Sequence, residues 1–130
     1  MSVMMVLEFD HQISTMEIRD ILARCDVSAL AECVEGFTGN FPSSNMFFSC
    51  EHYDSKGGYV RAEDENVDWD VGGRMIFVYM MSAFEACSMQ LHNFLLAMSN
   101  ATTSSWVLSF QYESICAIRD YAGIHWLKDF

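Results

Sequence analysis

Arg74-Met75-Ile76-Phe77-Val78-Tyr79-Met80-Met81 is apolar almost throughout, and Ser82-Ala83-Phe84-Glu85 follows it directly. A run this apolar suits a central strand covered on both faces. The serine and the glutamate three residues on have capping-box spacing, so a helix is predicted to start there. That helix should run from Ala83 to about Ser99, with Phe84, Cys87, Leu91, Phe94, Leu95 and Met98 on its buried stripe and Asn100 closing it. A buried strand feeding straight into a long amphipathic helix sets the frame for the other elements.

Upstream, Val3 to Phe9 is a short strand or an ordered arm. Ser14-Thr15-Met16-Glu17 is a second capping box, with Ile13 and Ile18 placed as a hydrophobic staple. Ile18, Ile21, Leu22 and Cys25 follow helical spacing. A second helix is predicted with the stripe Leu30, Cys33, Val34 and Phe37, capped by Asp26 or Ser28 and ended by Gly36, Gly39 and Pro42. Met46 to Tyr53 and Tyr59 to Ala62 read as strands around the turn Asp54-Ser55-Lys56-Gly57-Gly58. Downstream, Trp106, Leu108, Phe110 and Tyr112 alternate with Val107, Ser109, Gln111 and Glu113. The first set should face the core and the second solvent or a partner. Ile115 to Arg119 and Ile124 to Leu127 flank the hairpin turn Asp120-Tyr121-Ala122-Gly123. The predicted fold class is α+β: one domain over residues 1–130, with a mainly antiparallel sheet, an N-terminal helical pair and one longer central helix packed on the sheet.

The chain holds 18 acidic and 7 basic residues, a formal charge of -11, yet 52% of it is hydrophobic and 14% aromatic. That is ample material for a core, so global disorder is not expected. The charge argues against nucleic acid as a direct ligand and against anionic membranes, because both need basic surface. A basic protein or a cation is the natural complement. No segment is long and apolar enough to span a membrane, and Met1 to Asp10 lacks the basic region of a signal peptide, so a cytoplasmic location is expected. Cys25, Cys33, Cys50, Cys87 and Cys116 include no CxxC pair and read as reduced thiols rather than structural disulfides.

The charge is concentrated. Glu63-Asp64-Glu65-Asn66-Val67-Asp68-Trp69-Asp70 has five carboxylates in eight residues and no basic residue. Like charges this close repel, so a fold gains nothing from them internally. The segment is either a solvated loop or a surface awaiting a basic partner, with Trp69 able to supply buried area at short range. Glu63, Asp64, Glu65, Asp68, Trp69 and Asp70 are therefore the candidate partner-binding residues, with Tyr53 and Tyr59 as flanks. Glu17, Asp20, Glu32 and Glu35 form an alternative acidic surface. Asp64, Asn66, Asp68 and Asp70 alternate as in half an EF-hand loop. Trp69 stands where that loop needs glycine and Met75 where it needs glutamate, so no metal is expected. His11, His52, His92 and His125 are isolated, without structural zinc spacing. No glycine-rich phosphate loop, GxSxG elbow or HExxH occurs, and Cys50 with His52 lacks a third orienting group. Neither a catalytic residue nor a cofactor is predicted, and the chain is not expected to be an enzyme.

The stretch Ser105-Trp106-Val107-Leu108-Ser109-Phe110-Gln111-Tyr112-Glu113, with Ala117-Ile118-Arg119-Asp120 and Gly123, resembles the closing β-meander of some bacterial immunity proteins. These proteins neutralise toxin domains of contact-dependent growth inhibition and related polymorphic toxin systems. The resemblance covers roughly the last quarter of the chain and transfers no functional residue. It implies a cognate toxin domain as partner, often a basic nuclease. The charge balance agrees independently, since an acidic inhibitor can occupy a nuclease's phosphate-binding surface. Two other classes remain open: an acidic nucleic-acid mimic that binds a host DNA-binding protein, and a small enzyme. The mimic needs acids spaced like phosphates along a face, and the enzyme needs a pocket with convergent polar groups.

Overall fold

The computed structural model describes residues 1–25, 27–34, 36–53, 59–62 and 67–130, with the backbone alone at 28 and 29. Eight strands form one antiparallel sheet: β1 (Ser2–Phe9), β2 (Ser28–Cys33), β3 (Gly36–Phe41), β4 (Met46–His52), β5 (Gly73–Met80), β6 (Trp106–Phe110), β7 (Ser114–Asp120) and β8 (Gly123–Trp126). Their spatial order is β2-β3-β4-β5-β1-β6-β7-β8. Helix α1 (Thr15–Ala23) joins β1 to β2, and α2 (Phe84–Ala101) joins β5 to β6. The fold class is α+β. No described helix is long and apolar enough to cross a membrane.

Alternation along the strands sorts the side chains into two faces. Val3, Met5, Leu7 and Phe9 of β1 share a face with Met75, Phe77 and Tyr79 of β5, and with Trp106 and Leu108 of β6. This face carries the main core and packs against the helices through Ile18, Ile21 and Leu22 of α1 and Cys87, Leu91, Phe94, Leu95 and Met98 of α2. Phe37, Phe48, Phe77 and Phe94 form a chain of tilted and edge-on ring contacts 5.9–6.3 Å apart, running from β3 to α2.

The first helix starts as the sequence predicts. Glu17 N donates to Ser14 Oγ at 3.1 Å, and Ser14 N donates to Glu17 Oε1 at 3.0 Å. The second start does not. Met81–Ala83 form a 3₁₀ turn, and Ala83 caps α2 with no side-chain bond. The other end of α2 is closed from outside, where Arg119 of β7 donates to the carbonyls of Ser99, Thr102 and Ser104 at 2.8–3.1 Å. These bonds satisfy acceptors at and just beyond the helix end.

The N-terminal helical pair is a single helix. The stretch predicted as the second helix forms the strands β2 and β3 instead. Leu30, Cys33, Val34 and Phe37 fit a helical period, but burial in β3 alternates, with Phe37, Gly39 and Phe41 inward. The glycines read as helix stops are strand residues. A Cβ at Gly36 would lie 1.8 Å from the Cys50 carbonyl oxygen, so only glycine lets β3 lie this close to β4. Three further corrections follow. Tyr59 to Ala62 is not a strand. Tyr112 lies beyond β6 in a turn at φ 67°, after Gln111 at φ 51°. Val107 and Ser109, expected to look outward, are fully buried.

Cys33, Cys50, Cys87 and Cys116 are free thiols. Cys50 lies in β4 between β3 and β5, opposite Phe37 and Met75. Burial pushes its thiol from 9.0 to about 12, with Cys33 and Glu51 adding to the rise.

Two predictions follow from this packing. Phe48 is fully buried, whereas its neighbour Phe47 is 47% exposed on the other face. Phe48→Ala should destabilise by ~3–5 kcal/mol and Phe47→Ala by less than about 1 kcal/mol in denaturant titration. The reverse order would shift the register of β4 by one residue. The Cys50 shift sets the sign of an alkaline effect. Above pH 9 the unfolded chain loses the thiol proton while the folded chain keeps it, up to about pH 12. The unfolded state then binds fewer protons, so stability is full below pH 9 and falls as pH rises through that window, by up to about 1.4 kcal/mol per pH unit. Cys50→Ala should flatten this fall in a melting series at pH 8–11.

Candidate binding surface

The second face of the sheet is the face that does not meet the helices. Side chains pointing to it form cross-strand rows, one of which runs Glu51, Arg74, Glu8 and Val107 across β4, β5, β1 and β6. Glu8 is fully buried in the central strand. Its carboxylate accepts from Arg61 N at 2.8 and 3.1 Å, from Ala62 N at 3.1 Å and from Arg74 Nε at 2.8 Å. A buried carboxylate is tolerated when it is paired and its lone pairs are filled, and both conditions hold here.

Arg74 is held as closely. It donates to the Tyr59 carbonyl oxygen at 2.5 Å, and its guanidinium lies 5.4 Å from the centre of the Tyr53 ring. Burial alone would lower the Arg74 pKa. Hydrogen bonds to Tyr53 and Glu8, with the charge on Glu8, reverse that and raise it. The Tyr53 hydroxyl donates to Glu51 Oε2 at 2.9 Å, and burial first, then Glu51, raises its pKa.

These contacts fasten the connection between β4 and β5 onto the second face. Its two ends are clipped together, since Tyr53 N donates to Gly72 O at 2.8 Å and Gly72 N to Phe9 O at 2.6 Å. The clip needs glycine: a Cβ on Gly72 would lie 2.4 Å from the Asp10 carbonyl oxygen. Ala62 and Val71 are buried by the arrangement. Away from the connection the face stays open and apolar, with Met4 and Val78 half-buried, Phe47 47% exposed and Met80 54% exposed.

Of the six predicted partner-binding residues, Asp68, Trp69 and Asp70 lie on the described part of this connection. Both aspartates are exposed and Trp69 is half-buried. Glu63, Asp64 and Glu65 lie outside the described residues, as does half of the EF-hand-like set, Asp64 and Asn66. Tyr59 is 85% exposed, while Tyr53 is committed to Arg74 and Glu51. The alternative acidic surface is partly used internally. Glu17 caps α1, and Glu32 pairs with Arg19, whose guanidinium sits 5.0 Å over the Phe37 ring. Asp20 is exposed, and Glu35 is outside the described residues.

Among the described residues, no three His, Cys, Asp or Glu side chains group as a metal site. His52 meets Thr15 Oγ1 at 3.0 Å, and its ring lies 5.8 Å from that of Phe9. His92 stacks on Phe130 at 4.0 Å and on Trp126 at 5.1 Å, with Nδ1 2.8 Å from the Ser88 carbonyl. Both histidines are structural in these contacts.

Sequence reasoning passed over Glu8 and Arg74. A signal was present, because each is the single charged residue in its strand, Ser2–Phe9 or Gly73–Met80. Comparison of the chain with protein-family models, curated proteins and solved structures finds no match.

The anchor is testable. Arg74→Met leaves Glu8 buried without its cation and should destabilise by ~3–5 kcal/mol. Adding Glu8→Gln removes the orphaned charge, so the double variant should be more stable than Arg74→Met alone. Hydrogen exchange should show faster exchange at Arg61 and Ala62 in both. Slow exchange at those amides in the double variant would show that the connection does not depend on the ion pair.

Proposed function

We propose that this chain is an immunity protein, which binds and neutralises a cognate, basic nuclease toxin domain through its acidic surface. The observation that carries the reading is the makeup of the second face. Exposed Asp68 and Asp70 lie on the connection fastened across it by Glu8 and Arg74, and the remainder presents Phe47, Val78, Met4 and Met80. An apolar centre bordered by charge is the common anatomy of a protein–protein interface. The charge of -11 accelerates encounter with a basic partner, and the apolar residues slow its departure. A nuclease toxin must present basic residues to phosphate, and carboxylates can stand in for that substrate.

The test is to look for a neighbouring reading frame that ends in a basic domain and to co-express that domain with this chain, read as growth rescue and co-purification. In stopped-flow association at low salt, Asp68→Asn with Asp70→Asn should slow the on-rate roughly threefold to tenfold and lessen its salt dependence, with unchanged thermal unfolding. Phe47→Ala should act mainly on the off-rate. An on-rate unchanged by the double aspartate variant would take this surface out of the interface.

A further inference from the structure

A second feature lies at the edge of the sheet and is not used by the proposed toxin interface. β8 is the last strand in the sheet order, and no described strand lies beyond it. Leu127 N donates to the Cys116 carbonyl at 2.8 Å, and Asp120 pairs with Gly123 across the turn. Alternation along an antiparallel ladder therefore turns the backbone of Gly123, His125 and Leu127 towards β7, and that of Ile124 and Trp126 away from it. Each of those two residues presents an N–H donor and a C=O acceptor outward, in strand geometry. The chain after β8 turns onto the helix side. Lys128 N also donates to Cys116 O, at 3.1 Å, and Phe130 stacks on His92 of α2 at 4.0 Å.

A free edge invites pairing, and natural sheets blunt it with charge, proline, bulges or cover. β2, at the other end of the sheet, is blunted in this way: its register with β3 shifts between Ser28 and Ala31, and it carries Glu32. β8 is protected only by its shortness. Gly123-Ile124-His125-Trp126 holds no acid, lysine, arginine or proline, and its register with β7 is unbroken. Large apolar side chains accompany the edge, with Trp126 45% and Leu127 55% exposed and Tyr121 wholly so. The charge there is also unlike that of the rest of the chain. From Ser114 to Phe130, Arg119 and Lys128 balance Asp120 and Asp129, so the whole excess of -11 lies elsewhere. A basic partner is drawn to that acidic surface rather than to this edge. A second copy, repelled by like charge over the acidic surface, meets no net charge at β8.

We propose that β8 pairs with β8 of a second copy, antiparallel about a two-fold axis, and joins two eight-stranded sheets into one. The axis passes between the two copies of His125, which face each other as a pair without hydrogen bonds. Ile124 of each copy lies opposite Trp126 of the other, and these pairs exchange the outward N–H···O bonds. Such a contact is isologous. It consumes the free edge of both copies and stops at a dimer, whereas β8 on β2 would leave an edge open and grow into a filament. His125 continues the second-face row through Ile118 to Val107, so the second faces of both copies lie on one side of the joined sheet. So short an edge makes a small interface, below the ~1,200 Å² of standard complexes, and the dimer should be weak, with a Kd of roughly 10⁻⁵–10⁻³ M.

Sedimentation equilibrium of the full chain, at physiological salt and up to about 1 mM, should show a monomer–dimer equilibrium. Hydrogen exchange at the Ile124 and Trp126 amides should slow as the dimer forms, while the His125 amide, already bonded to β7, should not change. Ile124→Pro removes an outward N–H without touching the bonds to β7, and should weaken dimerisation at least about tenfold. His125→Lys sets like charges opposite each other across the axis, and should weaken the dimer even though it takes one unit off the net negative charge. An equimolar mixture with His125→Glu should restore it as a heterodimer. If Ile124→Pro does not fold, the two His125 variants decide alone. A wild-type chain that is monomeric throughout would overturn the proposal and leave the edge to a strand of another protein. So would growth beyond the dimer, a dimer indifferent to both Ile124→Pro and His125→Lys, or a mixture no more dimeric than either His125 variant by itself.

Discussion

A carboxylate buried in the middle of the sheet constrains everything on its second face. Glu8 belongs to β1, the strand with β5 on one side and β6 on the other, so it cannot turn to solvent without breaking the central pairing. An unpaired charge there would cost several kcal/mol. The neighbouring strand supplies the cation in register, as Arg74 stands directly opposite Glu8. The remaining lone pairs are filled by Arg61 and Ala62 backbone amides, which belong to no strand. The connection between β4 and β5 therefore lies across the sheet to complete this hydrogen bonding. In doing so it buries its own Ala62 and Val71.

The topology makes β1 the last strand position to be completed on both sides. β5 and β6 run parallel with β1 between them, and α2 crosses from one to the other. β2 to β5 form a meander on one flank, and β6 to β8 form another on the opposite flank. Each meander is local in sequence, whereas every pair made by β1 is distant. Met5 pairs with Phe77 and with Phe110, for example. Such pairings carry a high loop-closure cost, so docking of the two meanders onto β1 is the expected slow step of folding. α2 lies over this junction and packs Phe94 against Phe77.

The long helix, most strand positions and the α1 cap were legible because local chemistry and tertiary packing point the same way there. The stripe from Cys87 to Met98 is buried as its spacing demands. The second N-terminal helix was misread because apolar residues at helical spacing also occur by chance in an edge hairpin. What distinguished the two was the close approach of β3 to β4 at Gly36, a tertiary fact with no local signature. Val107 and Ser109 were misread for a related reason. Alternation shows that a strand has two faces, not how many are covered, and here the second face is also partly buried. The acidic segment was visible as charge, but its anchor required knowing that Glu8 and Arg74, 66 residues apart, are neighbours.

The position of the negative charge follows from the same anchor. Carboxylates crowded into one segment repel one another and favour extension into water. Left to that repulsion alone, a polar segment on a sheet face would peel away and take the Arg61 and Ala62 amides from Glu8, which is now fully buried. The Glu8–Arg74 pair opposes this at the Arg61–Ala62 side, and the Gly72 clip opposes it at the other. Asp68 and Asp70 thus stand between two fixed points. Groups held before an encounter lose less conformational entropy when a partner arrives, so the contact that stabilises the free fold also favours the proposed association. A basic partner would relieve the repulsion among those carboxylates, giving the bound state a gain that the isolated protein cannot make within its own chain.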